Sequence, residues 1–201
     1  VSGFVWNAGA QYTFEFGKKD RNQVSPKRLT LGVYGNTATN FNTNTSQLYV
    51  RNIFYAPADT LTYTIGKKDK GTLPTQITGG LMYEQLNKFR IGAEYSIAQW
   101  SEYENGAKPN DELTDASRAA IGVEYIPEYN SYDSYFKRIR YRAGFSYAND
   151  PRMINGDQLQ ELSVSIGLGF PIILPRQQTS FVNLSIEGGQ FGLSEAIKEN
   201  F

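Results

Sequence analysis

The 201-residue chain contains no cysteine and no histidine, and only two methionines and two tryptophans. Without cysteine there is neither a disulfide framework nor thiolate chemistry. Without histidine the commonest general base and the commonest metal ligand are missing. Net charge is also absent. Twenty Lys plus Arg balance twenty Asp plus Glu, so no basic surplus draws the chain onto nucleic acid. No run of about 18 apolar residues occurs, which excludes a transmembrane helix. The mean hydropathy is negative, but that does not argue against an outer-membrane strand, which is apolar only at alternate positions. The chain opens on Val1-Ser2-Gly3-Phe4 without a signal peptide, and this start is read as lying inside a longer protein.

Aromatic residues and glycine are plentiful, and they fall on a period of two. From Phe89 to Ile97, Phe89, Ile91, Ala93, Tyr95 and Ile97 alternate with Arg90, Gly92, Glu94 and Ser96. In the next segment Ala119, Ile121, Val123 and Tyr125 alternate with Arg118, Ala120, Gly122 and Glu124. Further on, Ile139, Tyr141, Ala143, Phe145 and Tyr147 alternate with Arg138, Arg140, Arg142, Gly144 and Ser146. A 3.6-residue helical period would scatter those arginines around an axis. The same pattern runs through Trp6–Phe16, Glu161–Phe170 and Phe181–Glu187, and more weakly through Leu29–Tyr34, Leu61–Gly66 and Thr75–Glu84. Gln47–Ala56 is the least clean, with aromatics on both faces.

About ten strands follow, many near the ~9–11 residues that a tilted strand needs to cross a bilayer. The expected fold is all-β: an antiparallel transmembrane β-barrel with lipid-facing apolar residues and a charged lumen. A soluble antiparallel sandwich also alternates apolar and polar positions. These strands, however, exceed the ~5–6 residues usual in globular sheets, and their polar face is rich in glycine, as at Gly9, Gly32, Gly80, Gly92, Gly122, Gly144 and Gly167. Trp6, Phe16, Tyr83, Phe89, Trp100, Tyr125, Tyr147 and Phe170 are candidate interfacial aromatics.

Loop lengths orient the strands, since external loops of such barrels are long and periplasmic turns short. Gly35–Ser46, Lys67–Leu73, Trp100–Ala116 and Asn149–Gln158 are expected outside. The turns near Pro57, Gln85–Lys88, Pro127–Phe136 and Ile172–Gln178 are expected in the periplasm, with Pro171 and Pro175 stopping the ladder.

Arg90, Glu94, Arg118, Glu124, Arg138, Arg140, Arg142 and Glu161 form the candidate lumenal charge network. Arg138, Arg140 and Arg142 read either as an anion-attracting wall or as partners of Glu94, Glu124 or Glu161, or of a plug segment in the lumen. Enclosed arginine needs a partner on either reading. Arg90/Glu94 and Arg118/Glu124 are expected to form cross-strand pairs. Asp111-Glu112 and Glu102/Glu104 read as solvated loop charges, because no histidine or cysteine accompanies them. No catalytic, cofactor-binding or metal-ligating residue is nominated, and no enzyme is expected.

The order of short motifs resembles the FadL/TodX family of outer-membrane transporters for hydrophobic compounds. Leu73-Pro74 precedes Ile77-Thr78-Gly79-Gly80-Leu81, a short turn, Lys88-Phe89-Arg90-Ile91-Gly92-Ala93-Glu94-Tyr95 and Trp100-Ser101. Arg118–Pro127, Ile139–Gly144 and Gly167-Leu168-Gly169-Phe170-Pro171 follow, and Ile197–Phe201 resembles Bacteroidetes members. The resemblance implies a fourteen-stranded barrel, with residues 1–201 forming one partial barrel domain that lacks an N-terminal plug and the last strand. Ser194–Asn200 does not alternate and is read as the point of truncation. The implied function is passive outer-membrane transport of fatty-acid-like or aromatic small molecules. The alternative is a FadL-like scaffold or accessory subunit of a larger outer-membrane complex such as the type IX secretion apparatus. Membrane lipids, an apolar ligand and other outer-membrane proteins are the expected partners.

Overall fold

The computed structural model describes residues 1–17, 26–51, 59–107, 112–174, 178–192 and 198–200. Almost all of them are strand: β1 (Ser2–Gly3), β2 (Ala8–Phe16), β3 (Lys27–Asn36), β4 (Thr39–Arg51), β5 (Asp59–Leu73), β6 (Gln76–Gln85), β7 (Phe89–Ala98), β8 (Glu104–Asn105), β9 (Ala116–Tyr125), β10 (Arg140–Ile154), β11 (Asp157–Leu174), β12 (Gln178–Gly192) and β13 (Lys198–Asn200). One-turn 3₁₀ helices lie at Trp100–Glu102 and Phe136–Arg138.

Two antiparallel sheets result. The larger has nine strands in the order β13-β12-β11-β10-β9-β7-β6-β3-β2, and the smaller runs β1-β4-β5-β8. Among the described residues the larger sheet does not close: β2 is one edge, and β12 meets β13 only at Gln190–Gly192. Of the expected partial barrel of about ten strands, the described residues form the all-β antiparallel sheet, without a closed or fourteen-stranded barrel. Lys198–Asn200 pairs as a strand although its sequence does not alternate, and Phe201 lies outside the described residues.

The register stacks the apolar positions in line. Leu29, Tyr83, Ile91, Val123, Ala143, Ile166 and Ile186 form one row across the sheet, and Tyr12, Leu31, Leu81, Ala93, Ile121, Phe145 and Val164 form the next. A one-residue slip in any strand would invert its two faces, so apolar patterning pins all of them together. The stacked face is not a core. Ile121, Phe145 and Ile166 are 47%, 44% and 61% exposed. Buried apolar residues among those described are Ile126, Ile139 and Leu159 alone. A two-layer sandwich would have enclosed these rows; here they face outward.

The main-sheet strands follow the alternation closely, but the excursion between β3 and β6 does not. β3 pairs directly with β6, so β4 and β5 form a long hairpin inserted in the chain between these two paired strands. The described parts of Gln47–Ala56 and Leu61–Gly66 thus supply no strand of the main sheet, while Gly35–Ser46 and Lys67–Leu73, expected as loops, are largely strand. The composition explains this. Asn40, Asn42, Asn44, Lys67, Lys68, Asp69 and Lys70 deprive the hairpin of the apolar alternation that the main-sheet strands share. Pro57 lies outside the described residues.

Two further boundaries shift. β10 and β11 continue through Asn149–Gln158 with an irregularity between Asn149 and Met153, and only Asn155-Gly156 turns. Both residues have positive φ, 55° and 88°, the pair favoured in a tight type I′ hairpin. The Gly156→Ala substitution meets no steric neighbour but forces a left-handed alanine. It should lower stability by about 1 kcal/mol, read by denaturant unfolding in detergent. The β11–β12 ladder also runs on past Pro171 to Leu174, opposite Gln178. β10 begins only opposite Gly169, so Pro171 has a neighbouring strand on one side, where a missing N–H is tolerated.

Candidate functional site

The polar face of the main sheet carries the candidate site. Near the short-turn ends, strand register lines up Glu15, Arg28, Glu84, Arg90, Glu124 and Arg142 on six successive strands. Charge alternates along the whole row. Arg28 donates Nε to Glu15 at 2.8 Å, Arg90 donates Nε and Nη2 to Glu84, and Arg142 donates Nε to Glu124 at 2.7 Å. Arg142 Nη1 also donates to Asn183 Oδ1 on β12 at 2.8 Å, which extends the chain of contacts to a further strand. Each inner charge thus has opposite charges on both neighbouring strands, a stronger arrangement than isolated pairs.

Of the sequence-nominated charges, Arg90, Glu124 and Arg142 join this row. Arg90 pairs with Glu84 rather than Glu94, and Arg118 does not reach Glu124. The physical reason is strand rise. Residues four and six apart on one strand are separated by about 13 and 20 Å. Glu94 lies opposite Gly80 and Ala120, Arg118 opposite Ser96 and Ala148, and Glu161 opposite Ala148 and Phe191. None of the three is in a salt bridge among the described residues. Arg138 is not on the arginine-bearing strand but in the 3₁₀ turn before it, where its guanidinium rests 5.3 Å from the centre of the Tyr135 ring. Arg140 stacks 3.7 Å over Phe181 instead of meeting a carboxylate.

Glu15, Arg28, Glu84 and Asn183 escaped sequence reasoning. For Glu84 a signal existed: it and Arg90 are equidistant from Asn87, the positive-φ residue of a short turn. A tight turn fixes register and hence that pair.

Beyond the charge row, a trough of about 730 Å³ runs along the same face, lined by Gly32, Gly80, Gly92 and Gly122 with Gln11 and Glu94. A second of about 490 Å³ continues it past Gly144 and Gly167. Ser146 and Ser163 share a buried hydrogen bond of 2.9 Å beside it. No group of three or more acidic side chains among the described residues is arranged to hold a metal ion.

The nominated aromatics lie on the opposite face or at its ends. Phe16, Phe89 and Tyr125 share one row, joined by Tyr141, and Tyr83 lies one step inward, its ring 6.2 Å from that of Phe16. Tyr147 shares a row with Tyr95 toward the other end, and Phe170 lies beyond Leu168 opposite Val182. Trp6 precedes β2, and Trp100 sits in the 3₁₀ turn after β7, 5.6 Å from the Tyr103 ring.

At the long-loop end, Arg152 donates Nε and Nη2 to Asp150 at 2.7 and 2.8 Å. This hydrogen bonding holds the Asp150 carboxyl below its ordinary value. A depressed folded-state pKa means its stabilisation is complete above the unfolded carboxylate range and is lost as pH falls through the lowered value. Amide-exchange protection factors at 150–158, taken relative to the intrinsic rate at each pH, should therefore fall in acid, and the Asp150→Asn substitution should flatten that dependence.

No curated protein is similar enough to the chain to count as a match. The family model described as BamG matches residues 1–201. That finding overturns the FadL/TodX assignment, and with it the passage of hydrophobic small molecules and the apolar ligand. The type IX accessory reading gains no support either. The motifs behind the resemblance are explained without a ligand. Phe89–Tyr95, Arg118–Tyr125 and Arg140–Gly144 encode strand alternation, a glycine-lined face, an aromatic row and an ion row, all of which the strand pairing accounts for. Matched over its whole length, the chain belongs to the BamG family.

Proposed function

We propose that this chain is a membrane-embedded, non-catalytic component of the Bam complex, working with other outer-membrane proteins. Family membership supports the complex. The observation that carries the embedding is the exposed apolar face of the large sheet, with Ile166 and Ile186 61% and 66% exposed. From Phe89 to Ile97 this face covers about 27 Å of strand, which a tilt near 40° shortens to about 20 Å, close to the apolar band of outer-membrane strands. On this reading the aromatic row of Phe16, Phe89, Tyr125 and Tyr141 lies at one lipid–water boundary and Tyr95 with Tyr147 toward the other. The ion row then faces water or protein on the inner side, and the β4–β5 hairpin stands on the external side.

Affinity purification of the tagged full-length protein from native outer membranes in mild detergent tests the reading. Co-purification with Bam subunits in a defined stoichiometry is expected. A protein recovered without any Bam subunit, from membranes in which the complex itself stays intact, would remove it from the complex.

A further inference from the structure

The turn joining β9 to β10 is held in a fixed shape below the aromatic row. Ile126 and Ile139, 3% and 2% exposed, close its two ends. Ile126 N–H donates to Lys88 O in the neighbouring turn, and Glu128 N–H donates to Lys137 O. Phe136, at the start of the 3₁₀ turn, is nevertheless 71% exposed. Covering that exposed ring with apolar material would stabilise the turn.

Its position says what that is. Tyr141, on the outward apolar face, donates its hydroxyl to the Phe136 carbonyl at 3.1 Å, so the backbone at Phe136 lies beside the end of the row formed by Phe89, Tyr125 and Tyr141. Two residues on, Arg138 rests against the Tyr135 ring, whose hydroxyl is tied to Pro171 O at 3.1 Å. Arg138 Nε is buried without an acceptor, and no carboxylate lies within salt-bridge distance among the described residues. The nearby acid Glu128 pairs with Lys137, and Asp133 is the other acid of the turn. An apolar wedge and an oriented cation at the edge of a lipid-facing surface match the two halves of a phospholipid at the interface.

We infer that the β9–β10 turn is a phospholipid anchor: Phe136 enters the acyl region of the leaflet on the short-turn side, and Arg138 meets a lipid phosphate there. This rests on the membrane-embedded reading above, and the test separates the two. In the full-length protein, Trp6→Phe and Trp100→Phe clear the background, and a single tryptophan is placed by Phe136→Trp or, as control, by Ile166→Trp. Each variant is reconstituted in phosphatidylcholine vesicles carrying bromine either near the headgroup end or near the chain terminus of the acyl group. Fluorescence at 136 should be quenched at least twofold more by the shallow bromine than by the deep one, and the order should reverse at 166. Quenching at 166 with none at 136 would overturn the anchor and leave the embedding intact. No quenching at either position would overturn both. Adding Arg138→Gln to the Phe136→Trp variant should cut shallow quenching about twofold; unchanged quenching would remove the arginine from the anchor.

Discussion

The Ile166→Lys substitution is expected to destabilise the bilayer-reconstituted protein by about 2–4 kcal/mol, the cost of a lysine near the middle of a lipid-facing barrel surface. Ile166 is the most informative position because it is already 61% exposed and lies midway along the apolar face of its strand, between Leu162 and Phe170, with Ala143 and Ile186 beside it. If that face met water, exchanging an exposed isoleucine for lysine would be nearly neutral or favourable. Lipid reverses the sign. Ile121→Lys, in the next row, should behave alike, whereas Ser165→Lys on the inner face should cost far less. Denaturant titration in vesicles, followed by circular dichroism, reads all three.

The charge-swap variant Glu84→Arg/Arg90→Glu is the second large effect. In an isolated ion pair, exchanging the partners restores the attraction. In this row it cannot, because the new arginine at 84 faces Arg28 and the new glutamate at 90 faces Glu124. Two like-charge contacts replace two favourable ones, at a cost of about 2 kcal/mol after allowance for solvent screening. Inverting all six charges, from Glu15 to Arg142, re-creates the alternation and should recover most of the loss. A swap as stable as the parent would mean that the three bonded pairs act separately.

Much of the sheet was legible because alternation and register are the same information. Once Phe89–Ile97 and Arg118–Tyr125 each had an apolar face, aligning those faces left few registers open between them, and on the other side of Phe89–Ile97 the short turn fixed its pairing with β6. Where both faces of a segment are polar, as around Asn40–Asn44 and Lys67–Lys70, alternation carries no such signal, so the hairpin was misread as loops and barrel strands. The ion row was half legible. Strand positions reveal which charges share a face, but partners come from neighbouring strands, and the Glu15–Arg28 rung spans a long connection whose length hides its register. Closure and partners were not legible, because the same strand grammar serves a transporter and a component of an assembly.

Cysteine scanning tests the lipid-facing claim most directly, and the natural absence of cysteine leaves no background. Spin labels placed singly from Leu162 to Leu168 in the reconstituted protein would report oxygen against water-soluble relaxant access. Oxygen access should peak at Leu162, Val164, Ile166 and Leu168, and relaxant access at Ser165 and Gly167. Equal relaxant access at all seven positions would mean that the outward apolar rows meet water, and the protein would not be embedded by this sheet.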